Sequence, residues 1–67
     1  MIDVHVNGKA VTLPGPVPVS ELLARLGYTN DFVAVAIGRT HVPRREFATA
    51  MVGDQAEVDI LAPMAGG

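Results

Sequence analysis

The chain has 67 residues, of which 49% are hydrophobic and 18% charged, and its formal net charge is −2 at pH 7. Those values describe one small domain with a single core and exclude a disordered tail, which is poor in apolar residues and rich in net charge. Five basic residues make a poor nucleic-acid footprint, and the absence of cysteine removes any disulfide scaffold, thiolate metal site, catalytic thiol or internal persulfide.

Ile2-Asp3-Val4-His5-Val6 alternates apolar and polar, the period of a half-buried strand. Asn7-Gly8 follows, and both residues tolerate the positive φ of a two-residue hairpin turn. A second strand over 9–13 then pairs Val6 with Lys9, Val4 with Val11 and Ile2 with Leu13. That register gathers Ile2, Val4, Val11 and Leu13 on one face and leaves Asp3, His5, Ala10 and Thr12 on the other. Asp3 and His5 also break any secretory signal, and no apolar run nears the ~20 residues that cross a bilayer. The chain reads as soluble and cytoplasmic.

Pro14-Gly15-Pro16-Val17-Pro18 reads as a connector, because proline donates no ladder hydrogen bond. Val19, Leu22, Leu23 and Leu26 then fall at i, i+3, i+4 and i+7, so a core-facing helix is expected. Pro18 suits its first position, Ser20 is an alternative cap, and Gly27 suits the left-handed residue past its end. A third strand is expected over 32–37 with Val33, Val35 and Ile37 on one face. Gly38-Arg39-Thr40 should turn into a short strand at His41-Val42, ended by Pro43. Residues 44–51 carry enough apolar positions for one or two helical turns, and Gly53-Asp54 signals a turn before a last strand over 57–61. One main helix on a mixed sheet of four or five strands is the α+β arrangement called the β-grasp. In it the last strand lies beside the first, in parallel, so Val58 and Ile60 should pack against Ile2, Val4 and Val6.

Little in this order supports catalysis. His5 and His41 have no partner at metal-ligand spacing, Ser20 lacks a nucleophile elbow, and no glycine-rich loop runs into a helix. No catalytic or metal-binding residue is therefore expected. Arg44-Arg45 could meet an acidic partner or simply face solvent. What remains is the end of the chain. Met1 and Gly66-Gly67 read as natural termini, and residues 64–67 as a flexible tail beyond a folded 1–63. A terminal Gly-Gly offers a carboxylate on a thin stalk with no side chain to obstruct entry into a narrow passage.

Several fragments, in this order and at this length, carry a family resemblance. They are Val6-Asn7-Gly8, Val19-Ser20-Glu21-Leu22-Leu23, Val33-Ala34-Val35-Ala36-Ile37, Val42-Pro43-Arg44, Gly53-Asp54, Glu57-Val58-Asp59-Ile60 and Ala65-Gly66-Gly67. Together they resemble the sulfur carriers of thiamine biosynthesis, the ThiS family of ubiquitin-like β-grasp proteins. Gly38, where family members often have Asn, and Pro18, where they often have Thr, depart from the pattern in a turn and a cap.

The resemblance implies a co-substrate rather than an enzyme, with no bound cofactor. An E1-like adenylyltransferase would use ATP to activate the carboxyl of Gly67. A persulfide donor would convert it to a thiocarboxylate, and thiazole synthase would receive the sulfur. Gly66 would supply clearance, and the exposed sheet face with Leu61, Met64 and Ala65 would dock the partners. Leu61 could equally be an edge residue covered by the tail or by Phe47. Pro63-Met64 leans toward a related reading, the small subunit of molybdopterin synthase. Carriers for tRNA thiolation or amino-acid biosynthesis belong to the same class, and an idle-tailed β-grasp interaction module is the remaining alternative.

Overall fold

A computed structural model describes residues 1–28 and 32–62. The first two strands, β1 (Ile2–Val6) and β2 (Lys9–Leu13), pair antiparallel in the expected register, from Ile2 opposite Leu13 to Val6 opposite Lys9. Asn7 (φ 50°) and Gly8 (φ 84°) both take the left-handed conformation that a two-residue turn needs to match strand twist.

The segment after β2 departs from the expectation of a plain connector. Val17–Pro18 forms a two-residue strand, β3, which leads directly into helix α1 (Val19–Arg25). Proline is tolerated there because β3 has a partner on one side only, β6 (Met51–Val52), with Val17 opposite Val52 and Pro18 opposite Met51. The start of α1 also differs from the expectation: Pro18 precedes the first helical residue, Val19, and Ser20 lies within the helix instead of capping it. Pro18 occupies the cap position without a side-chain hydrogen bond. The free N–H groups of Val19 and Ser20 instead donate to the carbonyls of Ala50 and Phe47, each at 2.9 Å. The other end closes as the sequence predicts. Gly27 has φ 83°, its N–H donates to Ala24 O, and the Tyr28 N–H donates to Leu23 O, the paired bonds of a Schellman motif.

The third core strand, β4 (Ala34–Ile37), is shorter than expected. Phe32 lies before it and is 79% exposed, while Val33 and Val35 are buried. Gly38 and Arg39 (φ 56° and 69°) form a second two-residue turn into β5 (Thr40–Val42), so Thr40 belongs to the strand rather than the turn. The helical turns expected over 44–51 are a 3-10 helix at Arg44–Glu46 and a further turn in which the Thr49 and Ala50 N–H groups both donate to the Glu46 carbonyl. The turns run no further because the Phe47 and Ala50 carbonyls accept from the start of α1 and Met51 pairs with Pro18. In the turn at Gly53-Asp54 the left-handed residue is Gln55 (φ 65°), not the glycine.

The last strand, β7 (Glu57–Leu61), occupies the centre of a five-stranded sheet ordered β2-β1-β7-β4-β5. It runs parallel to β1 and antiparallel to β4. With α1 across one face, this is the ubiquitin-like β-grasp arrangement. Val4, Val6, Leu22, Leu23, Val35, Val58 and Ile60 are among the buried residues between sheet and helix. No polar side chain is buried among the described residues. The parallel register sets Val6 beside Val58, so Ile60 lies past the end of β1 rather than alongside it. No helix among the described residues is long and apolar enough to cross a membrane.

Candidate functional site

The period of a strand decides which residues of β7 reach solvent. Val58 and Ile60 are buried against the helix layer, which turns Glu57, Asp59 and Leu61 to the open face of the sheet. Leu61 is 75% exposed. Its Cα partner in β4 is Ala34, and two residues on, Ala36 lies between Asp59 of β7 and His41 of β5. Alanines leave this part of the face shallow. A cleft of about 280 Å³ results, floored by Ala34, Ala36 and Leu61 and edged by His41, Asp59 and Asn7.

The surround is acidic. His5 pairs with Glu57 across the parallel ladder, and Asp3 lies on the same face. Asp3 is fixed on three sides: its N–H donates to Asp54 Oδ1 at 3.0 Å, its Oδ1 accepts from Thr12 Oγ1 at 3.1 Å, and its carbonyl accepts from the Gln55 N–H at 2.7 Å. An apolar shelf with a carboxylate rim suits a partner surface that is apolar at its centre and basic at its edge.

The end of β7 is held on both sides. Asn7 Oδ1 accepts a hydrogen bond from the Ile60 N–H at 2.8 Å, and Asn7 Nδ2 donates to the Ile60 carbonyl at 3.1 Å. On the other flank Leu61 lies opposite Ala34. Sequence reasoning assigned Asn7 to the turn alone; its partner is 53 positions away, and no local pattern signals the contact.

Of the expected docking residues, Leu61 is on the open face. Phe47 does not cover it, because Phe47 is half-buried against the core on the opposite side of the sheet. Met64, Ala65, Gly66 and Gly67, and with them the boundary between a 1–63 domain and a tail, lie outside the described residues. His5 and His41 are both exposed and stand on different strands. No cluster of three or more His, Asp or Glu residues that could hold a metal ion occurs among the described residues. Arg45 lies 4.0 Å from Glu46 with both side chains largely exposed, a weak surface pair.

Comparison with known proteins places these features in a context. The model of the ThiS family matches residues 4–67. The uncharacterized protein ycf40 of Porphyra purpurea is 29% identical over 66 residues, spanning 98% of this chain and 93% of that protein. A crystal structure of a thiamine biosynthesis protein (ThiS) from Geobacter metallireducens is 32% identical, with a TM-score of 0.83 over 98% of this chain and all of that one. A solution structure of a thiamine biosynthesis protein from the same organism gives a TM-score of 0.82 at 32% identity, covering 98% of this chain and 88% of the other.

Proposed function

Because this chain belongs to the ThiS family, we propose that it is a sulfur carrier whose working group is the carboxyl of Gly67. The observation that carries the reading is the match running to Ala65-Gly66-Gly67, six residues beyond a central strand held on both flanks beside an open apolar shelf. The body presents the end of the chain, and the chemistry takes place on it.

A carboxylate resists nucleophiles because its negative charge repels them and its oxygen is a poor leaving group. A partner adenylyltransferase therefore joins the Gly67 carboxyl to AMP from ATP, releasing pyrophosphate. The terminal sulfur of a persulfide donor then attacks the acyl carbon, forming a C–S bond as AMP leaves. A second thiol attacks the donor's sulfur, which breaks the S–S bond, leaves the thiocarboxylate on Gly67 and ends as a disulfide. The anionic sulfur is a strong nucleophile, and thiazole synthase takes it into the thiazole of thiamine. The absence of cysteine suits the scheme, since no internal thiol can capture the activated ester. The protein is then a recycled cytoplasmic co-substrate that binds no cofactor of its own. Gly66 leaves clearance in the partner's passage, and Met64 and Ala65 line the approach.

The test is intact mass after incubation with ATP, the cognate adenylating enzyme and a persulfide donor. Exchange of one terminal oxygen for sulfur is the expected result, and transfer of that sulfur into a thiazole assigns the thiamine pathway. An unchanged mass overturns the carrier reading. Delivery to a molybdopterin precursor, a tRNA or an amino-acid precursor instead moves the protein to another pathway of the same class.

Docking is expected to use the shelf around Leu61. Leu61→Glu places a charge at its centre and should raise the KM for the adenylating enzyme about tenfold, the scale of one interface hot spot. The urea midpoint should not move, because the side chain is already 75% exposed. An unchanged KM places docking elsewhere.

A further inference from the structure

Beyond the turn, Asn7 does something its backbone cannot. In a parallel ladder the strand groups facing a neighbour bond at every second residue. Along β7, the Ala56 carbonyl accepts from the His5 N–H and the Val58 carbonyl accepts from the Asn7 N–H, each at 2.9 Å. The next residue in that series is Ile60. By then the main chain of β1 has left the sheet, because Asn7 is left-handed and Gly8 carries the hairpin away. The side-chain amide of Asn7 takes over, accepting from the Ile60 N–H and donating to the Ile60 carbonyl. A primary amide carries the same donor and acceptor as a peptide group, so the ladder is extended one step past the end of the strand that made it.

We infer that Asn7 is a positioning residue for sulfur loading: its amide fixes β7 at Ile60, the last buried position of the strand that leads on to Gly67. This rests on the carrier reading. A carboxyl delivered into another protein's site depends on where its tether begins, and small displacements of reacting groups lower rates steeply. Asn7 acts through Ile60 and never touches the reacting atoms.

The test is Asn7→Gly, because glycine keeps the positive φ of the turn and Gly-Gly is itself a favoured turn pair. The variant removes the amide and keeps the turn geometry, while loosening the backbone at position 7, an effect shared by the whole hairpin rather than confined to Ile60. Amide exchange at Ile60 is expected to quicken by about tenfold, the effect of losing roughly two modest hydrogen bonds, with Val4 and Val35 little changed. Because the carrier is the substrate in loading, partial unfolding would only dilute it and raise the apparent KM. A looser departure point lowers kcat instead, by about fivefold, with KM nearly constant. Asn7→Asp keeps the acceptor but not the donor and should fall between the two. Unaltered exchange at Ile60 overturns the clamp. Faster exchange with an unaltered kcat overturns the positioning role while leaving the carrier intact. If the wild-type chain takes no sulfur at all, the carrier reading fails and the positioning role falls with it, whatever the exchange data show.

Discussion

Deleting Gly67 is expected to abolish sulfur loading and to leave the folded body as stable as before. The truncated chain still ends in a glycine carboxylate, so its chemistry is unchanged and only its reach is shorter. One residue of extended chain spans about 3.3–3.6 Å. Misplacing reacting groups by only ~1 Å can slow a reaction about a hundredfold, so the loss of a whole residue should take loading below detection. Gly66→Val keeps the length and tests the passage instead. Its branched side chain adds width where glycine has none, and loading should slow sharply. The buried apolar residues of the described core lie between Val4 and Ile60, so neither change is expected to shift the urea midpoint. Mass spectrometry of the intact chain and of its C-terminal peptide reads the result. Normal loading of the truncated chain would move the reactive group off Gly67. Normal loading of Gly66→Val would remove the need for clearance.

How much of this was open to reading in the sequence depends on how local each cause is. Asn7-Gly8 and Gly27 specify their own backbone, since positive φ is a property of the residue and its neighbours, and the structure has them as expected. The β1–β2 register follows from the turn length, and the α1 stripe from spacing. Failures occur where a distant partner decides. Val17–Pro18 becomes a strand only because Met51–Val52 arrives beside it. The helical turns expected over 44–51 are present, but where they stop depends on α1, whose start takes the Phe47 and Ala50 carbonyls. Phe32 continues the strand's alternation but lies outside the β4 pairing, which begins at Ala34. At the site, Leu61 was legible from parity alone, since Val58 and Ile60 had to face inward. The shelf beside it was not, because it needs β4 and β5 aligned against β7. Asn7 was legible as a turn and silent as a clamp for the same reason.

Leu22→Ala is expected to bring the protein close to unfolding at physiological temperature. Leu22 is wholly buried, and it is the largest side chain among the fully enclosed residues. Truncating a buried leucine costs about 2–5 kcal/mol, part from lost transfer energy and part from the cavity left behind. A domain this small has roughly 3–10 kcal/mol in total, and this one has no disulfide to support it. At about 4–8 °C per kcal/mol for a domain of this size, Tm should fall by roughly 10 to 40 °C. Helix α1 resists shifting to fill the gap, because the N–H groups of Val19 and Ser20 tie its start to the carbonyls of Ala50 and Phe47. The functional signature differs from that of Asn7→Gly. Unfolded carrier is absent substrate, so loading near Tm shows a raised apparent KM, and excess carrier restores kcat. A fall in Tm of only a few degrees would mean that the helix–sheet layer closes around the missing methyls. A lowered kcat at saturation would mean that Leu22 also shapes how the end of the chain is presented.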